Sequence, residues 1–171
     1  MTPRAIWTSV AGMAVGLLVL PSVVASPPVL LWNASASVPI GLYAVHRPAK
    51  LRVGDIVVAL PPKPLAHYLD ARRSLPEGVP LVKSIAALAG QTICRIGRLV
   101  SVDGVTLAEA QEHDRHGRRL PAWQGCRVLA PGEVFLMNSA RPDSLDGRYF
   151  GPLPLSVVIG RAAPLWIPKE P

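Results

Sequence analysis

Ser37 and Lys83 are the two residues of this chain whose types and surroundings indicate covalent chemistry. A serine hydroxyl is a weak nucleophile at neutral pH, so it needs a base within hydrogen-bonding distance. Lys83 lies among apolar neighbours between Leu81 and Leu88, with no acidic residue beside it. Desolvation in such surroundings lowers the pKa of an amine and produces a neutral base. The two residues therefore predict a serine nucleophile that is activated by a lysine.

Two other interpretations of these residues stay open at this point. The remaining candidate bases are four histidines, none of them within a supporting motif: His46, His67, His113 and His116. We interpret them as exposed or locally bonded side chains. An isolated lysine between apolar residues is also commonly a strand-edge residue whose amine extends into water. The rest of the sequence has to decide between these interpretations.

A third segment, residues 138–152, places polar, charged and turn residues between two apolar strands. Burying so many polar groups is unfavourable unless they satisfy one another in a specific network. A plain polar loop is the alternative.

Three ordered motifs resemble those of the type I signal peptidase superfamily, and most closely those of TraF-type peptidases of bacterial conjugative transfer systems. They are Ser-x-Pro-x-Gly-x-Tyr at 37–43, Leu-Val-Lys-Ser-Ile with Gly-Gln-Thr-Ile at 81–93, and Asp-Ser-Leu-Asp-Gly-Arg-Tyr-Phe-Gly-Pro at 143–152. The resemblance implies that Ser37 is the nucleophile and Lys83 the general base. It further implies that the Ser37 backbone N–H and the Ser35 hydroxyl stabilise the oxyanion.

The same resemblance assigns roles in the third motif. Ser144 occupies the position that orients the lysine in this superfamily, and Asp146 and Arg148 occupy the positions of an ion pair that braces the site. We group Asp146 with Ser37 and Lys83 as a catalytic candidate. Asp143 is a weaker candidate.

The resemblance predicts a membrane-bound serine endopeptidase that matures a conjugative pilin precursor by C-terminal cleavage through an acyl-enzyme. Water then releases a trimmed protein, or the substrate's own N-terminal amine releases a cyclic one; the sequence leaves both open. The alternative is a general type I signal peptidase that removes leader peptides. Residues 61–80, a proline-bounded insertion before Lys83, favour the transfer type. No cofactor or metal is expected, since two cysteines are too few ligands.

Two further classes are a cytosolic self-cleaving repressor with a similar serine and lysine, and a non-enzymatic assembly protein. The apolar N-terminus disfavours the repressor, which needs a DNA-binding domain there. The net charge of +7 comes from scattered residues. Only Arg115, Arg118 and Arg119 cluster, which indicates a solvated face suited to anionic headgroups rather than nucleic acid. The oligomeric state is left open.

Arg4 is the only Lys, Arg, Asp or Glu between Met1 and His46. The 21 uncharged residues 5–25 are long enough to span the roughly 30 Å hydrocarbon core of a bilayer as a helix. The next basic residue is Arg47, so the positive-inside rule predicts a cytoplasmic N-terminus and an inner-membrane protein. The predicted domains are an anchor at 1–28 and a periplasmic peptidase domain at 29–171.

A cleaved secretory signal is the alternative to the anchor, because Val-Val-Ala at 23–25 and Ala-Ser-Ala at 34–36 both resemble cleavage sites. Either way the domain is exported. Cys94 and Cys126 are then able to form a disulfide in an oxidising compartment. Two unpaired buried thiols are the other interpretation.

The expected fold is mainly β, with twisted antiparallel sheets or a partly open barrel, short helices and one transmembrane helix. Its overall form is implied by the resemblance, whereas composition predicts only the strands. We expect Gly41–Val45 and Asp55–Leu60 to pair directly and Asp103-Gly104 to close a hairpin. A short surface helix is predicted within 61–80. The remaining strand predictions are Leu81–Ile85, Thr92–Ile96 and Leu155–Arg161. We expect a turn followed by a strand within Val128–Met137, and the apolar run Val29–Trp32 either enters a sheet or lies at the membrane interface.

Overall fold

The structure, a computed structural model, describes residue 13, residues 30–48 and residues 50–168. The predicted anchor therefore lies outside the described residues, apart from Met13. Within these ranges, every helix is too short or too polar to cross a bilayer.

The described part of the chain forms eleven strands and two short α-helices. The strands are β1 (Leu30–Asn33), β2 (Gly41–His46), β3 (Ile56–Ala59), β4 (Leu81–Leu88), β5 (Thr92–Ile96), β6 (Leu99–Val102), β7 (Val105–Glu109), β8 (Gly125–Val128), β9 (Glu133–Leu136), β10 (Leu153–Pro154) and β11 (Val158–Trp166). The helices are α1 (Lys63–Ala71) and α2 (Gly147–Phe150), and a 3₁₀ turn covers Leu155–Val157.

Two antiparallel sheets contain all of these strands. The larger sheet has the spatial order β1-β2-β11-β3-β4-β9-β10, and the smaller has the order β7-β6-β5-β8. The prediction of a mainly β fold is confirmed, as are the hairpin closed by Asp103-Gly104 and the short helix within 61–80. The last strand begins at Val158, three residues later than predicted, because the 3₁₀ turn precedes it.

The predicted direct pairing of β2 with β3 is wrong, because β11 lies between them. Arg161 of β11 is opposite His46 on one side and Val57 on the other. The nine residues that join β2 to β3 are too many for a tight hairpin turn. The two strands therefore hydrogen-bond to the same C-terminal strand instead of to each other.

The larger sheet is buried on both faces. Adjacent residues Val57 and Val58 point to opposite faces, and each belongs to a different apolar cluster. One cluster contains Val38 and Tyr43, which both follow the predicted nucleophile in the first motif. Through Val38, this cluster packs directly against the Ser37 loop.

The smaller sheet contains the two cysteines. Cys94 of β5 lies directly opposite Cys126 of β8, and the two form a disulfide. Because the residues are 32 positions apart, the chain-entropy model predicts a stabilisation of about 3 to 4 kcal/mol.

We expect the double variant Cys94→Ser/Cys126→Ser to lose about 3 to 4 kcal/mol of the free energy of unfolding, measured with urea. Reduced wild-type protein should match the variant, and a loss below about 1 kcal/mol would contradict the prediction.

Candidate active site

The Ser37 loop, residues 34–40, connects β1 to β2 and is held by the side chain of Asn33. Asn33 is buried, and its amide donates hydrogen bonds to the carbonyl oxygens of Ser35, Val38 and Pro39 at 2.8, 3.1 and 3.1 Å. Its Oδ1 accepts from the Ser35 backbone N–H at 3.2 Å. One carboxamide therefore positions both sides of Ser37.

The rest of the first motif has a steric explanation. The Tyr43 hydroxyl donates a hydrogen bond to the carbonyl of Pro39 at 2.6 Å. A Cβ atom at Gly41 would lie 2.3 Å from the carbonyl oxygen of Trp166 on β11, so a larger residue would push the strands apart. Proline, glycine and tyrosine at this spacing thus seat the loop on the sheet.

Lys83 lies in the middle of β4 and is only 3% exposed. Its Nζ donates to Ser37 Oγ at 3.0 Å and to Ser144 Oγ at 2.7 Å. Burial lowers the pKa of Lys83 to about 8, although the charge of Asp146 opposes this effect and that of Arg148 adds to it. A useful fraction of the amine is therefore neutral near pH 8, and a neutral amine can accept a proton from a hydroxyl within hydrogen-bonding distance.

Ser35 lies next to the predicted nucleophile. Its Oγ is 3.0 Å from Ser37 Oγ and accepts from the Ser37 backbone N–H at 3.2 Å. The hydroxyl and the N–H thus meet beside the atom that would attack a carbonyl. Both are donors of the kind that stabilise an oxyanion.

Asp146 and Arg148 form an ion pair whose two side chains have no solvent exposure. Arg148 Nε donates to Asp146 Oδ1 at 2.8 Å, and Nη2 donates to Oδ2 at 3.0 Å. The backbone N–H of Asn138 also donates to Asp146 Oδ2, at 3.0 Å, and Arg148 donates to the carbonyl oxygens of Asn138 and Pro142. The pair therefore ties the end of β9 to the loop that carries Ser144.

The structure separates Asp146 from the reacting atoms. Among the described residues, its carboxylate bonds to Arg148 and Asn138, and not to Ser37 or Lys83. These contacts hold the loop that carries Ser144, and the catalytic role predicted for Asp146 stays a prediction. Asp143 is largely exposed and lies 3.8 Å from Arg141.

A second close contact explains the glycine of the third motif. A Cβ atom at Gly147 would lie 2.6 Å from the Phe135 ring and 2.7 Å from the carbonyl oxygen of Leu136. Glycine lets α2 pack directly on β9. Asp146 caps this helix by accepting from the Arg148 backbone N–H.

Sequence reasoning missed two buried asparagines. They are Asn33 and Asn138. The Oδ1 of Asn138 accepts a hydrogen bond from the backbone N–H of Ser84, the residue next to Lys83, at 2.9 Å. Asn33 is the last residue of β1 and Asn138 lies two positions after β9, and each precedes a motif serine. A polar amide at the junction between a buried strand and a motif was the available signal.

Replacing Asn33 with alanine is expected to lower kcat by about 100-fold, because three carbonyls lose their donor and Ser37 shifts from Lys83. The KM of a cleaved peptide should change little. Asn33→Asp should behave similarly, since a carboxylate cannot donate to carbonyls. Steady-state kinetics would test this, and unchanged kcat in a folded variant would contradict it.

Of the four histidine candidates, His113 and His116 line the cleft that also contains Ser37, whereas His46 and His67 do not. His67 is exposed and 3.2 Å from Glu77, while His116 accepts from Arg115. The described residues contain no cluster of three or more His, Cys, Asp or Glu side chains suited to a metal. Arg115 and Arg118 line the cleft beside Ser37, whereas the sequence indicated only a solvated face.

Comparison with known proteins identifies the family of the chain. The model of the family "Signal peptidase, peptidase S26" matches residues 4–167. Conjugal transfer protein TraF of Agrobacterium fabrum is 35% identical over 145 residues, which cover 78% of this chain and 80% of that protein. A Synechocystis protein named "Probable signal peptidase I-1" is 34% identical over 121 residues, which cover 70% of this chain and 55% of that protein.

Among solved structures, a signal peptidase I from Enterococcus faecalis V583 aligns with 66% of this chain and 97% of its own, at 20% identity and a TM-score of 0.39. The family match spans nearly the whole chain, including all three motifs. The chain belongs to the signal peptidase family, peptidase S26, whose members are serine peptidases, and its relatives include conjugal transfer proteins named TraF.

Proposed function

We propose that the protein is a membrane-bound endopeptidase that matures a conjugative pilin precursor, with Ser37 as nucleophile and Lys83 as general base. The observation that carries this proposal is the desolvated amine of Lys83 between two serine hydroxyls, 3.0 Å from Ser37 and 2.7 Å from Ser144. Ser144 acts as the orienting partner, because its hydroxyl accepts a hydrogen bond from the Lys83 amine and so fixes the tip of the lysine side chain.

In the proposed reaction, neutral Lys83 takes the Ser37 proton while Oγ attacks the scissile carbonyl. The Ser37 N–H and the Ser35 hydroxyl stabilise the resulting oxyanion. Collapse breaks the C–N bond, protonated Lys83 returns the proton to the leaving amine, and an ester to Ser37 remains. Attack by water gives a linear product, whereas attack by the substrate's N-terminal amine gives a cyclic product.

The comparison with relatives supports a transfer substrate over a general leader-peptide substrate. The chain aligns with 80% of the A. fabrum TraF protein but with only 55% of the Synechocystis signal peptidase. The identities are similar, so general signal peptidase activity is the second candidate. A panel of exported precursors separates the two, because a transfer peptidase should process the pilin precursor alone.

We also propose that the anchor at 1–28 is retained in the inner membrane and that the domain from residue 29 faces the periplasm. Trp32, near the start of the described chain, and Trp166, near its end, have ring centroids 5.8 Å apart and are both more than half exposed. Exposed tryptophans suit a membrane–water interface.

Cleavage after Ala36 would remove β1 and Asn33, which disfavours that signal site. Carbonate extraction and protease accessibility in spheroplasts would test the location, and a fully soluble protein would contradict it.

The decisive experiment is intact-mass analysis of a pilin precursor co-expressed with the enzyme. Wild-type enzyme should remove a C-terminal peptide, and Ser37→Ala should abolish the removal. Ser101→Ala, on β6 of the smaller sheet, is the matched control and should retain activity. Loss of one further water would identify cyclisation, whereas its absence would identify hydrolysis. Processing by the folded Ser37→Ala variant would refute the proposal.

A further inference from the structure

A cleft of about 630 Å³ opens beside Ser37 and Lys83. Two segments outside the three motifs form its far wall. One is the end of α1 with the residues that follow it, from Leu69 to Leu75, and the other is the loop from Gln111 to Leu120. The first belongs to the insertion whose role the sequence left open.

Asp114 joins these two segments into one wall. Its Oδ2 accepts from Arg72 Nη1 at 3.1 Å and from Arg118 Nε at 2.7 Å, and its Oδ1 accepts from the backbone N–H groups of His116 and Arg118. Although desolvation raises the pKa of Asp114, the hydrogen bonds and the charge of Arg118 lower it to about 2. Asp114 therefore stays ionised and ties its own loop to Arg72, which lies 42 positions earlier in the chain.

The cleft is positively charged even after this pairing. Its lining includes five arginines and two aspartates, namely Arg72, Arg73, Arg115, Arg118, Arg141, Asp114 and Asp143. Asp114 binds Arg72 and Arg118, and Asp143 lies near Arg141. Within the described ranges, Arg73 and Arg115 form no ion pair and are exposed. Two guanidinium groups are thus available to an anion in the cleft that holds Ser37.

We propose that Arg73 and Arg115 bind a carboxylate of the peptide substrate as it occupies this cleft. The inference rests on the proposed peptidase function and names its substrate class: peptides with an acidic side chain, or a free C-terminal carboxylate, close to the scissile bond. Guanidinium groups bind carboxylates through paired N–H donors. A cleft lined by one sign of charge also concentrates ligands of the opposite sign.

A lipid headgroup is a weaker match for these arginines. They line the same cleft as Ser37, where a peptide has to lie for its carbonyl to be attacked. Apolar side chains of Leu69, Leu81 and Leu145 also line the cleft. This mixture suits a peptide that carries one or two carboxylates among apolar residues.

The test uses synthetic peptides that span the pilin cleavage site. In one series a glutamate on either side of the scissile bond is compared with glutamine, and in the other the free C-terminal carboxylate is compared with a carboxamide. Wild-type enzyme should cleave one carboxylate form about tenfold faster in kcat/KM, mainly through KM. The series that responds identifies the source of the carboxylate. The preference should weaken at high salt.

The variant for this test is Arg73→Asn/Arg115→Gln. Asparagine is used at position 73 because Arg73 has a φ of 54°, which asparagine tolerates. We expect this variant to cleave the paired peptides at rates within about twofold of each other. Arg119→Gln is the matched control, because Arg119 is exposed in the same loop but does not line the cleft. It should keep the wild-type preference.

Peptide binding to the Ser37→Ala protein, measured by fluorescence anisotropy, separates this inference from the proposed function. Cleavage without any carboxylate preference would overturn the inference alone. Preferential binding of carboxylate peptides without Ser37-dependent cleavage would support the inference and overturn the proposed function. A carboxylate preference that persists in the double variant would overturn the inference. So would a defect of the double variant that is limited to binding vesicles of phosphatidylglycerol, because the arginines would then bind lipid headgroups.

Discussion

Arginine in place of Lys83 is expected to abolish cleavage, with kcat/KM reduced at least 1,000-fold, on the order of the loss when a catalytic group is removed. A guanidinium stays protonated at any accessible pH and cannot accept the Ser37 proton. Because arginine is larger than lysine and the site is buried, Lys83→Met serves as a second variant that keeps the apolar length. It should be folded and equally inactive. Full activity in either variant would remove Lys83 from the mechanism.

The wild-type pH profile tests the same proposal without a mutation. The active form of Lys83 is the neutral amine, and its pKa is about 8. As pH falls below this value the amine gains a proton, so log kcat/KM should fall by one unit per pH unit. Above it, the rate should level off. An activity that stays constant between about pH 6 and 9 would show that no group with this pKa is the base.

Asparagine in place of Asp146 is expected to destabilise the protein by about 3 to 5 kcal/mol, because it leaves the fully buried guanidinium of Arg148 without its counter-charge. Both carboxylate oxygens of Asp146 accept hydrogen bonds, one from Arg148 Nε and the other from the Asn138 backbone N–H. An asparagine amide has only one oxygen, so its NH₂ group would face one of these donors. Urea unfolding at pH 7.5 measures the loss. Arg148→Met alone should be similarly harmful, since the carboxylate then lacks its partner.

The double variant Asp146→Asn/Arg148→Met is the control for this pair. Because no unpaired charge remains, it should be more stable than the sum of the two single losses predicts. Purely additive losses would contradict the ion-pair explanation. Removing the Asp146 charge also lowers the pKa of Lys83, so any folded Asp146→Asn protein should show its rate midpoint below about pH 8.

Much of this protein was predictable from local patterns. Apolar runs rich in β-branched residues predicted most of the strands, and Asp103-Gly104 predicted a hairpin because it favours the required turn. Proline clusters bounded the short helix. The three motifs, taken in order, indicated the family. Two of them carry a glycine that only a specific packing explains, because a Cβ atom added at Gly41 or Gly147 would lie less than 3 Å from a neighbouring backbone oxygen.

Strand partners were not predictable in the same way. The β2 and β3 segments had the properties of an antiparallel pair, yet β11, more than one hundred residues after β2, lies between them. Pairing is decided by which strands complete the sheet once the whole chain is folded. A local pattern contains no information about a partner so distant in the sequence.

The sequence by itself determined the residue types at the candidate site, since serine, lysine and the third motif are recognisable without coordinates. Only the tertiary structure decided how they act on one another. It brings Lys83 to within hydrogen-bonding distance of Ser37 and Ser144, pairs Asp146 with Arg148 away from the reacting atoms, and supplies Asn33 as the support of the Ser37 loop. The physical reason is that burial and distance set the pKa of Lys83 and the satisfaction of each polar group, and both depend on segments that meet only on folding.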